Sequence, residues 1–255
     1  MMRLMTDSHP ASATAAHPAE SAYDAIAEGY AAINATSLLN EYYNRPALAE
    51  LAGDVSGRRV LDVGCGSGPI LADLRDHGAI VTGIDSSAGM LEQARGRLGG
   101  AADLRVVDLA DPLPFKDDTF DDVVASQVLH YLKDWGPTLA EIHRVLKPGG
   151  RLIVSEEHPS AIFLTDRLSG GDREYFGVHE RTEQWTLGDQ TTELTFWDRP
   201  LHAMTDSFAA AGFRISVIAE PAPAAEAFDR FPDIRNASGR FLAFLFFVLV
   251  AEQHV

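Results

Sequence analysis

Three evenly spaced aspartates constrain the fold more than any other feature. Asp62, Asp85 and Asp108 fall 23 residues apart, each at or near the end of a short apolar run: RVLDVG (59–64), AIVTGID (79–85) and LRVVD (104–108). Between the runs lie stretches with helical periodicity. Leu71 and Leu74 follow the first, and Met90, Leu91, Ala94 and Leu98 follow the second, with Ser86 or Ser87 placed to cap that helix. One strand and one helix per interval predict parallel strands, because a parallel pair needs a crossover of a dozen residues or more. The alternation continues through FDDVVAS (120–126), a helix carrying Leu139, Ile142 and Leu146 that ends at the turn KPGG, and RLIVSEE (151–157). The expected fold class is α/β, a doubly wound, mostly parallel sheet with helices on both faces.

Beyond residue 157 the pattern changes. Residues 158–199 are rich in polar and aromatic side chains around the turn signal LGDQ, which predicts an inserted β-hairpin with a lid-like segment. The main fold resumes at Pro200, expected at the first position of a helix with a Leu201, Met204 and Phe208 stripe and a stop at Gly212. FRISVIAE and FLAFLFFVLV read as strands, the second too short to span a bilayer and apolar enough to be buried on both faces. Residues 1–20 read as a mobile tail and 21–255 as one domain, with a helical lid at 21–50 and a substrate-side insert at 158–199. The formal net charge of -16, without any cluster of basic residues, excludes nucleic acid and anionic membrane surfaces as partners. The single cysteine, Cys65, cannot form an internal disulfide and suits the cytoplasm.

Straight after the first strand comes GCGSGP, residues 64–69. A dinucleotide fingerprint needs G-x-G-x-x-G, and Pro69 stands at its last position, which counts against a nicotinamide oxidoreductase. In an open parallel sheet ligands bind outside the carboxyl ends of the strands, so the loop and the three aspartates face one crevice. An acid at the end of the second strand offers two acceptor oxygens to the vicinal hydroxyls of a ribose, and Asp85 fits that role.

The segments VLDVGCGSG, GIDSSAGMLEQAR, VVDLADPLPFKDDTFDDVVASQVLHYL and LAEIHRVLKPGGRLIVSE, spanning 60–156, resemble the class I S-adenosylmethionine-dependent methyltransferases, especially the small-molecule, ubiquinone-biosynthesis-type branch. The resemblance implies a seven-stranded Rossmann-like sheet and S-adenosyl-L-methionine as cofactor. It implies that Gly64, Cys65 and Gly66 pack against the methionine part, that Asp62 lies near its amino group, and that Asp85 and Ser86 hold the ribose. Met90 would cover the adenine, Asp108 and the Leu109 amide would read its edge, and Ser126, Gln127 and Tyr30 would close the site. No metal site is expected, and Cys65 reads as a packing residue.

The acceptor is expected to be a small hydrophobic or aromatic molecule, with O-methylation favoured. Methyl transfer from a sulfonium needs mainly proximity and alignment, and a base matters only for an acceptor that carries a proton. His158, after the fifth strand, leads as that base and His130 follows; His179 and Glu180 in the insert are weaker. Phe163, Tyr175, Phe176, Trp185, Phe196 and Trp197 are expected to line the acceptor pocket or to form the core of the hairpin. A relative that binds the cofactor without transferring methyl, as a sensor or a cyclase, is the alternative. The oligomeric state is not legible.

Overall fold

A computed structural model describes residues 18–187, 189–232, 234 and 242–252. Most of the expected mobile tail, residues 1–17, lies outside the described residues, and residues 18–20 belong to the first helix. In chain order the elements are α1 (Pro18–Asn34), a π-helical turn (Asn40–Asn44) running into α2 (Arg45–Ala52), β1 (Arg59–Val63), α3 (Pro69–Asp76), β2 (Ile80–Asp85), α4 (Ala88–Leu98) and β3 (Asp103–Val106). Then come β4 (Phe120–Ser126), α5 (Gly136–Val145), β5 (Leu146–Glu157), α6 (Pro159–Leu168), β6 (His179–Leu187), β7 (Gln190–Asp198), α7 (Leu201–Ala210), β8 (Phe213–Ala219), α8 (Ala227–Arg230) and β9 (Phe244–Ala251).

Seven strands form one sheet in the order β3-β2-β1-β4-β5-β9-β8. The five on the β3 side run parallel, and β9 enters antiparallel between β5 and β8. Strand order reverses between β1 and β4, which places the ligand crevice above the loops that leave these two strands. Because helices cover both faces, the apolar residues of the central strands alternate between two cores. Leu61, Val63, Val123 and Phe247 pack on one side, and Val60, Val124, Ile153 and Phe246 on the other. At the far end of the sheet the fully buried Asp122 carboxylate is clamped by the guanidinium groups of Arg58 and Arg151, the latter at 2.6 Å.

Four local readings need correction. The chain enters β5 at Leu146, paired with Phe120, so the expected KPGG turn is a bulged stretch of strand in which Gly149 takes φ 75°. Pro200 is the N-cap of α7 and not its first helical residue, and Leu201 faces outward while Met204 and Phe208 are buried. The insert contains α6 as well as the antiparallel pair β6 and β7; Pro159 starts that helix where its missing N–H costs nothing. The final strand begins at Phe244. Among the described residues no helix is long and apolar enough to cross a membrane.

Candidate active site

A cavity of about 150 Å³ opens above the carboxyl ends of β1, β2 and β4. Its floor is the loop 64–68. The Gly64 and Cys65 amides both donate to the Ile84 carbonyl, at 2.8 and 3.0 Å, folding the loop back across β2. Gly64 has φ 70°, and a Cβ there would lie 2.3 Å from a Val128 methyl, so the loop touches the end of β4 only because the side chain is absent. At Gly66, with φ 53°, an added Cβ would meet no protein atom and would project into open space beside the cavity.

Asp85 is held rigidly: its two oxygens accept from the Gly66 amide at 2.8 Å and the Ser87 amide at 2.9 Å. Burial raises its pKa, and these two amides oppose the rise. Each oxygen keeps a lone pair for a further donor. Ser87 caps α4 by accepting from the Met90 amide, which fixes Met90 in the cavity wall. Asp108 is ordered by the Ala110 amide at 2.8 Å and lines the same end with Leu109 and Val107. Burial, followed by the Asp62 and Asp85 charges, pushes the Cys65 thiol far above its ordinary range, so it is inert packing.

The other end collects unsatisfied polar atoms. Both oxygens of Asp62, Asn44 Oδ1 and Ser67 Oγ are buried without hydrogen-bond partners, and Arg45 Nε donates no hydrogen bond although it lies 3.4 Å from an Asp73 oxygen. All four residues line the cavity. Burial, then the Asp85 charge, holds the Asp62 pKa well above the usual carboxylate range. A buried carboxylate without a partner is costly, and a ligand cation removes that cost. Acceptors at Asp62 and Asn44 beside donors at Arg45 and Ser67 suit a head group carrying both an ammonium and a carboxylate, as S-adenosylmethionine does.

The roof comes from α1 and the hairpin. Asp24 Oδ1 accepts from Ser87 Oγ at 2.5 Å and from the Gly89 amide at 2.9 Å, pinning α1 to the start of α4. Tyr30 lines the cavity and stacks on Trp185, with ring centroids 5.9 Å apart; Tyr23 and Tyr131 also line it, and their hydroxyls meet at 2.5 Å. Opposite, Ser126 Oγ accepts from Asn44 Nδ2 and contacts Ser155 Oγ, while Gln127 turns away from β4 with φ 52°, an uncommon backbone state for a non-glycine residue.

Residues 61–154 match the family described as a methyltransferase domain. The chain is 39% identical over 147 residues to the ubiquinone/menaquinone biosynthesis C-methyltransferase UbiE of Desulfotalea psychrophila, which covers 56% of this chain and 59% of that protein. It is 38% identical over 152 residues to the demethylmenaquinone methyltransferase of Thermobifida fusca, covering 58% and 64%. The chain thus spans under two thirds of the length of these relatives. A crystal structure from Listeria monocytogenes, of a protein assigned to the S-adenosylmethionine-dependent methyltransferases, superposes with a TM-score of 0.69 over 82% of this chain and 97% of that one, at 25% identity. The match to the methyltransferase-domain family covers residues 61–154, and over most of its length the chain shares the fold of this methyltransferase structure. The polar ends of the cavity fit S-adenosyl-L-methionine.

The two histidines named from the sequence do not line the cavity. His158 caps α6: its Nδ1 accepts from the Ser160 amide, so the ring proton resides on Nε2, 2.7 Å from Glu220. It has no lone pair to offer an acceptor. His130 is buried between Tyr131 and Phe196, with Nδ1 2.9 Å from Glu156; burial would lower its pKa, and the Glu156 carboxylate outweighs that and raises it. Glu180 is exposed on the hairpin, and His179 lines a separate small pocket with Phe163 and Tyr175. The six aromatics expected in the acceptor pocket are absent from the cavity wall. Trp185 and Phe196 stand behind Tyr30 and Tyr131, Phe176 is exposed, and Trp197 lies under Lys133. Asn44, Arg45, Ser67 and Tyr131 escaped the sequence reading; the polar run NEYYNR before Pro46, which breaks the apolar pattern ahead of β1, was the available signal for two of them.

Proposed function

We propose that the protein transfers a methyl group from S-adenosylmethionine to a small molecule whose nucleophile is a phenol or enol system already ionised on arrival. One observation carries this reading: among the described residues that line the cavity there is no histidine, glutamate or lysine. The remaining titratable groups do not serve as bases toward an acceptor. Asp62, Asp85 and Asp108 are assigned to the cofactor, and the cavity tyrosines keep their protons because burial raises all three. When bound, the cofactor supplies an electrophilic methyl on sulfur, the C–S electron pair returning to sulfur as the new bond forms. The chain's own residues align and exclude water, which is most of what such a displacement requires.

In this assignment Asp62 and Asn44 hold the ammonium, Arg45 and Ser67 the carboxylate, Asp85 with Ser86 the ribose, and Met90, Asp108 and Leu109 the adenine. Gly64, Cys65 and Gly66 form the floor, Ser126 and Gln127 one wall, and Tyr30 the lid. His158 and His130 become structural. The named activities of the relatives point to C-methylation on a quinone-type ring, whereas the sequence favoured oxygen; one phenolate presents both an oxygen and a nucleophilic ring carbon. Incubation with methyl-labelled S-adenosylmethionine and a panel of catechols and hydroxyquinones, followed by mass and NMR analysis, is expected to give a methylated product and to identify the atom. Cofactor binding with transfer confined to amines or thiols would overturn the phenol or enol assignment.

A further inference from the structure

Resting on that reading, we propose that the paired hydroxyls of Tyr23 and Tyr131 hold the ionised oxygen of the acceptor through the one proton their mutual hydrogen bond leaves free. Tyr23 comes from α1, and Tyr131 from the turn after β4, 108 positions later. The oxygens are 2.5 Å apart and both residues line the cavity. Each phenol has one proton, and one proton makes the bond between them; Tyr30, which also hydrogen-bonds Tyr23, adds a third hydroxyl with a proton of its own for that contact. The second proton of the pair is left to donate, and the cavity is where a ligand can accept it.

The rings have little freedom to turn away. Tyr23 packs edge-on against Tyr30 at 5.2 Å and Tyr131 at 5.9 Å, while Tyr131 is flanked by His130 at 4.4 Å and Phe196 at 5.3 Å. Such a donor is oriented before a ligand arrives, and a hydrogen bond to an anionic oxygen is about twice as strong as a neutral one. The carboxylates behind the pair are already engaged. Glu156 accepts from the Leu129 amide and faces His130, and Glu157 is paired with Arg181. Burial, first of all, keeps both phenols far above their ordinary titration range, so the pair donates at any physiological pH and does not abstract a proton. Asp62, Asn44, Arg45, Ser67, Asp85 and Asp108 are assigned to the cofactor, and Tyr30, Asn34 and Asn40 complete the polar wall beside this pair.

The test uses para-nitrophenol as a chromogenic acceptor mimic on protein saturated with S-adenosylhomocysteine. The ionisation midpoint of the bound probe is read from its absorbance in the parent, in Tyr23→Phe, in Tyr131→Phe and in the double variant. A donor to the phenolate lowers that midpoint, so the double variant is expected to raise it by about one pH unit or more, with smaller rises in the single variants. An unchanged midpoint in a double variant that still binds S-adenosylhomocysteine overturns the proposal, as does failure of the parent to bind the phenolate at millimolar concentration. If the double variant does not melt cooperatively, the single variants decide by the same criterion. A parent that binds no S-adenosylhomocysteine, or transfers no labelled methyl to any acceptor, would instead undo the methyl-transfer reading beneath it.

Discussion

Asp62 is a carboxylate folded into a place that suits it poorly until a ligand arrives. Its raised pKa means that the folded, ligand-free protein binds a proton there more tightly than the unfolded chain does. The linked instability therefore grows as pH rises from the unfolded value toward the folded one. Asp62→Asn is expected to stabilise the ligand-free protein at neutral pH by about 1 kcal/mol or more, measured by denaturant unfolding, while weakening S-adenosylhomocysteine binding. In the parent, that affinity is expected to fall on acidification through the raised pKa, and calorimetry should show the dependence flattened in the variant. Asp85, whose pKa burial also raises, differs in being hydrogen-bonded before a ligand arrives. Its oxygens are already anchored by two amides, and Asp85→Ala should cost cofactor affinity tenfold or considerably more, since each charge-assisted hydrogen bond to the ribose contributes roughly 1.5 to 3 kcal/mol. Both aspartates were legible in the sequence because their spacing repeats with the βα unit. Asn44, Arg45 and Tyr131 were not, because what joins them is a cavity and no periodicity records it.

At the level of elements, the core strands declare themselves and the covering pieces do not. FDDVVAS is β4 residue for residue: its Val-Val-Ala centre suits a strand buried on both faces, and the two aspartates at its start are taken up by Arg58, Arg151 and Lys147. Helix α6 was hidden by the proline that begins it, and the hairpin aromatics looked like a pocket because their burial against α1 leaves the same signature as burial against a ligand. Among the described residues the hairpin does not line the cavity itself but backs Tyr23, Tyr30 and Tyr131, against which Trp185, Leu194 and Phe196 pack. Shortening it between Glu183 and Glu193 is expected to abolish methylation while S-adenosylhomocysteine still binds. Calorimetry and a labelled-methyl assay on the same preparation check this, and loss of both activities would place the hairpin in the structural core. Helix α1 has a second attachment through Asp24, which is why the lid should stay docked when the hairpin is cut.

Across the whole molecule the excess of acids over bases sets a background repulsion that compact folding concentrates. Added sodium chloride screens it, and the melting temperature should be higher at physiological ionic strength than in low salt; an opposite trend would mean that paired charges such as Arg58, Asp122 and Arg151 outweigh the net field. The sheet order also governs how the chain is made. Strand β9 inserts between β5 and β8, so the sheet stays open until residue 251 has left the ribosome, long after the cofactor loop has been synthesised. Until then β5 presents a bare edge, and the segment FLFFVLVA is an uncharged, aromatic β-former waiting for it. Synthesis therefore passes through an aggregation-prone stage, and the soluble yield on overexpression is expected to rise when chaperones are co-expressed.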